Sequence, residues 1–326
     1  MDFFHWEGAR MTAFVQNVIG NDHLMILTSR MGDPRSSFLV FFPLAYSFST
    51  VLGTRVLLIA CLSEWLNMVL KWCLLGERPY WWVREFSNDG APSLRQFSIT
   101  CETGPGSPSG HVMVTASVFY LLIGEIVSAG HVRKTRAWAG YCLCVLAVAL
   151  SRVYIASHFP HQVVLGAAVG VLLAYLFTRF SLFDEIPSLL QCVVCSVTLI
   201  VTAIAVYGTV LALGFDPSFS IPKATKWCAR SEWVHLDTTP FFAFSRDVGS
   251  LLGLGLSSLL VKKNSKPSVN VYRQLLTFVI ACLLCHCLEY IRGPFIGQSV
   301  LFYAVSLGSS SLLSITTCLL KILIQK

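Results

Sequence analysis

This sequence has few charged residues. Only 13% of its 326 residues are Asp, Glu, Lys or Arg, whereas soluble domains carry about 25%. Hydrophobic residues make up 55% of the chain, so too few polar side chains remain to cover a surface exposed to water. This shortage excludes an ordinary soluble domain, and apolar runs recur along almost the whole length. The sequence therefore predicts an integral membrane protein in contact with the lipid bilayer.

The sequence also lacks the patterns of a nucleic-acid-binding site and of a metal site. A net charge of +7 would fit a nucleic-acid partner, but the basic residues are scattered among apolar segments, so no nucleic acid is expected. Most of the twelve cysteines lie in apolar runs and are expected to pack as small apolar side chains. Cys192 and Cys195 have a metal-ligand spacing, but no second pair and no histidine lies near them. Neither a metal nor another cofactor is expected.

The apolar runs predict an all-α fold, a polytopic transmembrane helical bundle with about nine membrane helices. Each run approaches the ~20 residues that cross a hydrocarbon core, although the seventh is short and an interfacial position is its alternative. No internal repeat is evident, so residues 1–326 are expected to form a single domain. The predicted spans are about 37–53, 55–75, 111–129, 136–156, 162–178, 188–214, 247–261, 272–290 and 296–323.

Clusters of Lys and Arg predict the orientation of these spans across the membrane. Two connections, at 133–136 and 262–273, are basic and fall on the same side, which is expected to be cytoplasmic together with the C-terminus. The N-terminus, the 76–110 loop, the 157–161 turn and the 215–246 loop then lie on the other side. In a eukaryotic cell that side is the lumen of the endoplasmic reticulum or the cell exterior. The 215–246 loop is itself basic, so the charge bias is incomplete.

The first segment with candidate functional residues is KWCLLGERPYWW, near the end of the predicted second helix. Lys71 and Arg78 are seven residues apart, which is two helical turns, so they are predicted to share one helix face. Glu64 lies on the same face and needs a partner if it is surrounded by lipid. Taken alone, the segment also fits a Lys and an Arg that snorkel at an ordinary helix end.

The second segment is CETGPGSPSGH, which leads into the predicted third helix. Pro108, Ser109 and Gly110 predict a turn and an N-cap, so backbone N–H groups at the helix N-terminus are available to an anion such as phosphate. His111 follows in the first turn, beside that site. Taken alone, the segment also fits a plain capped helix start with an uninvolved histidine.

The third segment is SRVYIASHFPHQ, at the end of the predicted fourth helix. Arg152 is placed where its guanidinium group can bind phosphate oxygens in a bidentate manner. His158 follows six residues later, just before Phe159 and Pro160 change the chain direction. Taken alone, the segment also fits a structural histidine near a membrane interface.

Together the three segments resemble the signature of the type-2 phosphatidic acid phosphatase superfamily. The longer runs LKWCLLGERPYWWV, CETGPGSPSGH, SRVYIASHFPHQV and KWCARSEWVHLDTTPF resemble glucose-6-phosphatase catalytic subunits, and the resemblance extends from about Gly32 to Gly255. The fourth run is the most specific, since lipid phosphatases in general lack it. Within the family, the run SRDVGSLLGLGL and the absence of an Asn-x-Ser/Thr sequon favour the ubiquitous catalytic subunit 3.

The resemblance implies a role for each residue of the three segments. His158 would be the nucleophile that forms a phosphohistidine, and His111 the general acid and base. No metal is needed, because three cations already balance the phosphate charge. Gln162 stands where many superfamily members have an acid that orients the nucleophile, so a backbone carbonyl or an acidic residue from elsewhere must do this. The phosphate-binding groups would be Lys71, Arg78, Ser109, Gly110 and Arg152.

The resemblance also implies an activity in glucose metabolism. It is hydrolysis of glucose 6-phosphate, and of related sugar phosphates, at the lumenal face of the endoplasmic reticulum, with a separate glucose-6-phosphate translocase as functional partner. A lipid phosphate phosphatase, and a non-catalytic scaffold or transporter of the same fold, are the alternatives. Candidate sugar-pocket residues, which also fit an aromatic belt at the membrane interface, are Trp81, Trp82, Trp233, His235 and Asp237.

Overall fold

Helices account for most of the computed structural model, which describes residues 2–86, 90–130, 132–180, 186–235, 238, 240–260, 270–292 and 299–325. Within these ranges there is no β-strand, and one isolated bridge joins Glu102 to His235. The prediction of an all-α fold is confirmed. The helices are α1 (Asp2–Val18), α2 (Asp22–Met31), α3 (Phe42–Phe48), α4 (Thr50–Leu74), α5 (Pro79–Glu85), α6 (Gly110–Ser128), α7 (Lys134–Tyr154), α8 (Pro160–Arg179), α9 (Leu189–Ala212), α10 (Ser220–Trp227), α11 (Pro240–Ser258), α12 (Val271–Arg292) and α13 (Ser299–Ile324).

Seven helical segments of the described ranges are long and apolar enough to cross a membrane. The predicted count of nine is not confirmed. The predicted first span falls on a π-helical stretch, Ser37–Phe41, and on α3, which ends at Phe48 before the extended residue Ser49. The predicted seventh span falls on α11, which is not among the seven. The seven segments are Thr50–Glu85, Gly110–Ser128, Lys134–Tyr154, Pro160–Arg179, Leu189–Ala212, Val271–Tyr290 and Val300–Ile324.

The chain forms two compact units. All the motif residues from Lys71 to His158 lie in the first unit, which comprises Met1–Asp33, Leu66–Leu173 and Ile204–Pro240. The second unit comprises Pro34–Trp65, Ala174–Ala203 and Phe241–Lys326. The expected single domain stays a prediction.

In the first unit, α1 and α2 pack against α7. The buried face of α1 follows the helical repeat, with His5, Ala9, Thr12 and Gln16 buried in turn. The side-chain amide of Gln16 donates a hydrogen bond to the carbonyl oxygen of Tyr154 (2.7 Å). α1 therefore fixes the C-terminal end of α7, where the third motif lies.

In the second unit, α11 packs closely against α13 through two glycines one turn apart. A Cβ atom on Gly249 would lie 2.4 Å from the carbonyl oxygen of Leu307, and one on Gly253 would lie 2.3 Å from that of Ser311. Small residues at this spacing let two helix backbones approach each other, which is a common basis of helix association in membranes.

Glu64 of α4 forms an ion pair with Arg246 of α11, also within the second unit. Both side chains are buried, and the rings of Phe38 and Phe242 lie near the guanidinium group. A buried carboxylate is costly unless it is paired. Arg246 is thus the partner that the sequence required for Glu64.

Candidate active site

Pro79 determines the position of Arg78. α4 ends at Leu74, so Lys71 lies near its last turn, whereas Arg78 precedes α5 with an extended backbone (φ −115°, ψ 148°). The ring of a proline disfavours helical backbone in the residue before it. The prediction that Lys71 and Arg78 share one helix face is therefore wrong.

Three backbone carbonyl oxygens hold the guanidinium group of Arg78. Its Nε donates to Gly104 (2.7 Å), its Nη1 to Ser157 (3.0 Å) and its Nη2 to Pro105 (3.2 Å). The residue is completely buried, so these bonds replace the water that a cation would otherwise need. Arg78 thereby joins the loop before α6 to the turn between α7 and α8.

A Schellman motif at the end of α7 sets the positions of Arg152 and His158. The amide of Ala156 donates to the carbonyl of Val153 (3.0 Å), and that of Ser157 donates to the carbonyl of Arg152 (3.2 Å). Ala156 has the left-handed backbone that this motif requires (φ 57°), although glycine is the usual residue there. The His158 amide also donates to the Arg152 carbonyl (3.3 Å). This hydrogen-bonded turn fixes the separation between the backbones of Arg152 and His158.

The buried imidazole of His158 has a defined tautomer. Its Nδ1 lies 2.7 Å from the carbonyl oxygen of Gly106, which can only accept, so Nδ1 carries the proton. Nε2 is then left with a lone pair, and Nη1 of Arg78 lies 3.4 Å from it. An imidazole in this state can act as a nucleophile through Nε2.

The electrostatics of the site keep His158 neutral. Burial, followed by the charges of Arg78 and Arg152, lowers the pKa of His158 well below its ordinary value of 6.5. The carboxylate of Glu102 raises that pKa and the ammonium group of Lys71 lowers it, each with a smaller effect. The neutral form is therefore present at pH 7.

Gln162, four residues after His158, does not orient that histidine. Its Nε2 donates to the carbonyl of Glu77 (2.6 Å), and its Oε1 accepts from the amide of Phe159 (3.1 Å). The sequence left open whether a backbone carbonyl or a distant acid orients His158, and the structure shows the carbonyl of Gly106. Gln162 instead joins the segment before α5 to the start of α8.

α6 begins at Gly110 with Ser109 as its N-cap residue, as the Pro-Ser-Gly run predicts. The amides of its first turn, including that of His111, have no acceptor within the helix. The hydroxyl of Ser109 makes no capping bond, and it is buried without a hydrogen-bond partner among the described residues. A buried donor of this kind beside a helix N-terminus is suited to a bound anion.

A carboxylate that sequence analysis did not select lies among these groups. Oε2 of Glu102 is 2.9 Å from Nη2 of Arg78 and 3.9 Å from Nε2 of His158. Oε1 of Glu102 is paired with Arg152 and lies 3.7 Å from Nδ1 of His111. One buried carboxylate therefore contacts both arginines and approaches both imidazoles. Its single signal in the sequence is its place in the run CETGPGSPSGH.

Glu102 is ionised in this setting. Burial by itself raises the pKa of Glu102, but the guanidinium groups of Arg152 and Arg78, together with smaller effects of His111 and His158, hold that pKa well below its usual range. We call the surrounding donors and bases the cationic cradle. Its members are Lys71, Arg78, Ser109, Gly110, His111, Arg152 and His158.

Two candidate sugar-pocket residues, Trp81 and Trp82, are buried in an apolar cluster that also contains Phe159. The indole Nε1 of Trp81 donates to the carboxylate of Glu77. These contacts give both indole rings a structural role. Binding of a sugar by Trp81 and Trp82 stays a prediction.

The other candidate sugar-pocket residues come after α10. Trp233 is partly buried against the same apolar cluster. The His235 ring donates from Nε2 to the carbonyl of Ser98 (2.7 Å). Asp237 lies outside the described residues, and a role for any of the three in sugar binding stays a prediction.

A disulfide between Cys101 and Cys228 joins the loop before α6 to the end of α10. Sequence analysis did not pair these cysteines, because nothing in a separation of 127 residues marks them as partners. On α10, Nζ of Lys223 also bonds the carboxylates of Glu77 (2.7 Å) and Glu85 (3.0 Å). The disulfide and the two ion pairs hold α10 against α5 and the loop.

Removal of the disulfide is expected to destabilise the first unit. Cys228→Ser should lower the free energy of unfolding by about 2–5 kcal/mol, because the crosslink closes a long loop. Thermal unfolding of the detergent-purified chain without reductant measures the effect. Cys73→Ser, at an exposed free cysteine, is the control and should leave the melting temperature unchanged. Equal melting temperatures for the two variants would contradict the pairing.

The described residues contain no group of three or more His, Cys, Asp or Glu side chains that could hold a metal ion. Cationic side chains at this site can balance a phosphate charge by themselves. Independence from metal stays a prediction.

Residues 52–185 match the family model of the PAP2 superfamily. This segment contains the three cationic side chains and both histidines of the cradle. Together with the seven apolar helical segments, the match defines the class: a multi-pass helical membrane protein with a PAP2 superfamily segment.

Similarity to curated proteins covers nearly the whole chain. The chain is 36% identical to glucose-6-phosphatase catalytic subunit 1 of Canis lupus familiaris, over 95% of this chain and 92% of the relative. It is 38% identical to glucose-6-phosphatase 3 of Bos taurus, over 91% and 88% of the two chains. It is 33% identical to glucose-6-phosphatase 2 of Homo sapiens, over 97% and 94%. The chain belongs to the glucose-6-phosphatase family, a family of phosphatases.

No solved structure matches the chain. The identities to catalytic subunit types 1, 2 and 3 lie within a few per cent of one another. They confirm the family that the motifs indicated, and the assignment to the third type stays a prediction.

Proposed function

We propose that this chain hydrolyses glucose 6-phosphate to glucose and inorganic phosphate. The observation that carries the proposal is the buried imidazole of His158, whose Nδ1 faces the carbonyl of Gly106 and whose Nε2 lies beside Arg78 in the cradle. Phosphoryl transfer needs a positioned nucleophile and stabilisation of charge on the equatorial oxygens, and this site offers both. The choice of sugar rests on the family, whose curated members are named glucose-6-phosphatases.

In the first step, Nε2 of His158 attacks phosphorus while the bond between phosphorus and the sugar oxygen breaks. His111 donates a proton to the leaving oxygen, so that glucose leaves and a phosphohistidine remains on the protein. Lys71, Arg78 and Arg152 bind the phosphoryl oxygens throughout this step.

In the second step, water attacks the phosphohistidine. His111, now neutral, accepts a proton from that water, and the nitrogen–phosphorus bond breaks to restore the lone pair of His158. The hydroxyl of Ser109 and the amide of Gly110 add donors for the oxygens of the phosphate that leaves. The second step therefore returns both histidines to their starting states.

The proposed location is the membrane of the endoplasmic reticulum, with the site and the N-terminus lumenal and the C-terminus cytoplasmic. The Cys101–Cys228 disulfide supports a lumenal site, since disulfides persist in oxidising compartments. Basic connections such as the one at 133–136 support a cytoplasmic position for the opposite face. Substrate then has to cross the membrane, so a glucose-6-phosphate translocase is the proposed functional partner.

The activity is tested by supplying the detergent-purified chain with glucose 6-phosphate and, separately, with lysophosphatidate. We expect phosphate release from the sugar. Release from the lipid alone would favour a lipid phosphatase, and release from neither would favour a scaffold or transporter; both results would contradict the proposal. In sealed reticulum vesicles that lack the translocase, hydrolysis should rise when detergent opens the membrane. Equal rates before and after opening would contradict the lumenal site.

A further inference from the structure

The carboxylate of Glu102 lies where a phosphoryl group would have to lie. Its two oxygens bridge Arg78 and Arg152, and one of them is 3.9 Å from Nε2 of His158. Phosphoryl oxygens bound by the same guanidinium groups would lie about 2.7–2.9 Å from their nitrogens, with phosphorus about 3–3.5 Å from the attacking nitrogen. A carboxylate and a phosphoryl group cannot both occupy that volume.

Three other bonds of Arg78 go to groups that cannot easily leave, whereas one other bond of Arg152 goes to a hydroxyl. Three nitrogens of Arg78 donate to backbone carbonyls, and Nη1 of Arg152 donates to the hydroxyl of Ser29 (2.8 Å). A carbonyl is held by the chain, whereas the carboxylate of Glu102 can move by rotation of its side chain. The bonds to Glu102 are therefore the ones that a substrate can take over.

Two buried donors have no partner among the described residues while Glu102 fills the site. They are Nε of Arg152 and the hydroxyl of Ser109. A carboxylate offers two oxygens, whereas a phosphoryl group offers three and can satisfy more of the donors of the cradle. The cradle is thus better matched to a phosphoryl group than to the carboxylate that occupies it.

The backbone at Glu102 is held while its carboxylate leaves. Its carbonyl oxygen accepts from the hydroxyl of Tyr80 (3.0 Å), and its backbone pairs with that of His235. The preceding residue, Cys101, is anchored by the disulfide to Cys228. The loop is therefore anchored, which assigns the exchange to rotation of the Glu102 side chain rather than to movement of the backbone.

We propose that Glu102 is a resident anion: it occupies the cationic cradle of the empty protein, and the phosphoryl group of the substrate displaces it. This inference rests on the proposed phosphatase function and adds a residue to it. The carboxylate relieves repulsion between the two guanidinium groups when substrate is absent, and its return opposes retention of inorganic phosphate. Glu102 is a positioning residue that sets phosphate affinity, not a catalytic residue.

The test is the affinity of Glu102→Gln for inorganic phosphate, measured by isothermal titration of the full chain in detergent at pH 7. Glutamine keeps the size of the side chain, removes its charge and replaces one of its two acceptor oxygens with an NH2 donor. We expect the Kd to be at least about tenfold lower than that of the unaltered chain, since the competing charge is gone. Glu85→Gln removes a carboxylate that bonds Lys223 outside the cradle, so it should leave the Kd unchanged.

Glu102→Asp keeps the proposal testable if the glutamine variant does not fold. Its shorter side chain reaches the two arginines less well, so a lower Kd is again expected. An unchanged or higher Kd in a folded variant would mean that Glu102 aligns the arginines for phosphate, and would overturn the proposal. The titration needs no turnover, so tighter phosphate binding without sugar-phosphate hydrolysis would support this inference and contradict the proposed function. Failure of every folded protein to bind phosphate would contradict both.

Discussion

His158→Ala is expected to reduce hydrolysis of glucose 6-phosphate by at least about a thousandfold. The substitution removes the nitrogen that attacks phosphorus, while the arginines that bind the phosphoryl group remain in place. Binding of inorganic phosphate and insertion into the membrane should therefore be retained when turnover is lost. Initial rates of phosphate release by the purified variant, with a phosphate titration of the same sample, measure the two effects separately.

His161→Ala is the matched control for this variant. His161 lies three residues further on, and its ring stacks on Phe159 with 5.6 Å between centroids. The activity of His161→Ala should stay close to that of the unaltered chain. The unaltered chain should also carry acid-labile phosphate during turnover, whereas His158→Ala should not. Substantial hydrolysis or persistent acid-labile labelling in His158→Ala would contradict the assignment of the nucleophile.

Local sequence predicts much of the cradle, because its groups lie at helix ends. The run from Pro108 to Gly110 marks the start of α6 and places His111 in its first turn. The spacing of Arg152 and His158 spans the end of α7, and the Schellman motif there fixes their separation. Caps of this kind depend on a few adjacent residues, so their position can be inferred without the rest of the fold.

The remaining features of the site depend on the path of a loop. Glu102 meets two arginines, and Gly106 meets His158, only because the 101–110 segment folds back between helices. No periodic pattern encodes such a path, and the disulfide that anchors it joins residues far apart in sequence. Arg78 is a different case. The seven-residue spacing from Lys71 favours a shared helix face, but the neighbouring Pro79 imposes an extended backbone on Arg78.

The count of membrane helices differs for a related reason. The predicted first span is not one long helix, because its helical part, Ser37–Phe48, ends before the extended residue Ser49. α11 is helical where a seventh span was predicted, but it contains Arg246 and Asp247 together with small residues. Length and hydrophobicity identify a long lipid-facing helix more readily than a helix with a polar face.

Gly106→Ala is expected to lower kcat/KM for glucose 6-phosphate by about a hundredfold, because misplacement of catalytic groups by about 1 Å has effects of that size. A Cβ atom at this position would lie 2.3 Å from the carbonyl oxygen of Glu77 and 3.0 Å from Cγ of Arg78. The nearer neighbour is backbone, so the loop itself must shift. The carbonyl oxygen of residue 106 would then move away from Nδ1 of His158, whose tautomer depends on that hydrogen bond.

Gly124→Ala in α6 is the control for this substitution, since a Cβ atom there would meet nothing within 4 Å. Gly124→Ala adds the same methyl group, but on a helix with open space around it, and should leave activity unchanged. Melting temperatures of the two variants in detergent show whether Gly106→Ala loses activity through its site or through its fold. Activity of folded Gly106→Ala within a small factor of the unaltered chain would mean that the carbonyl of Gly106 does not need its present position. The orientation of His158 would then have to come from another group, and the tautomer argument for its nucleophilic nitrogen would fail with it.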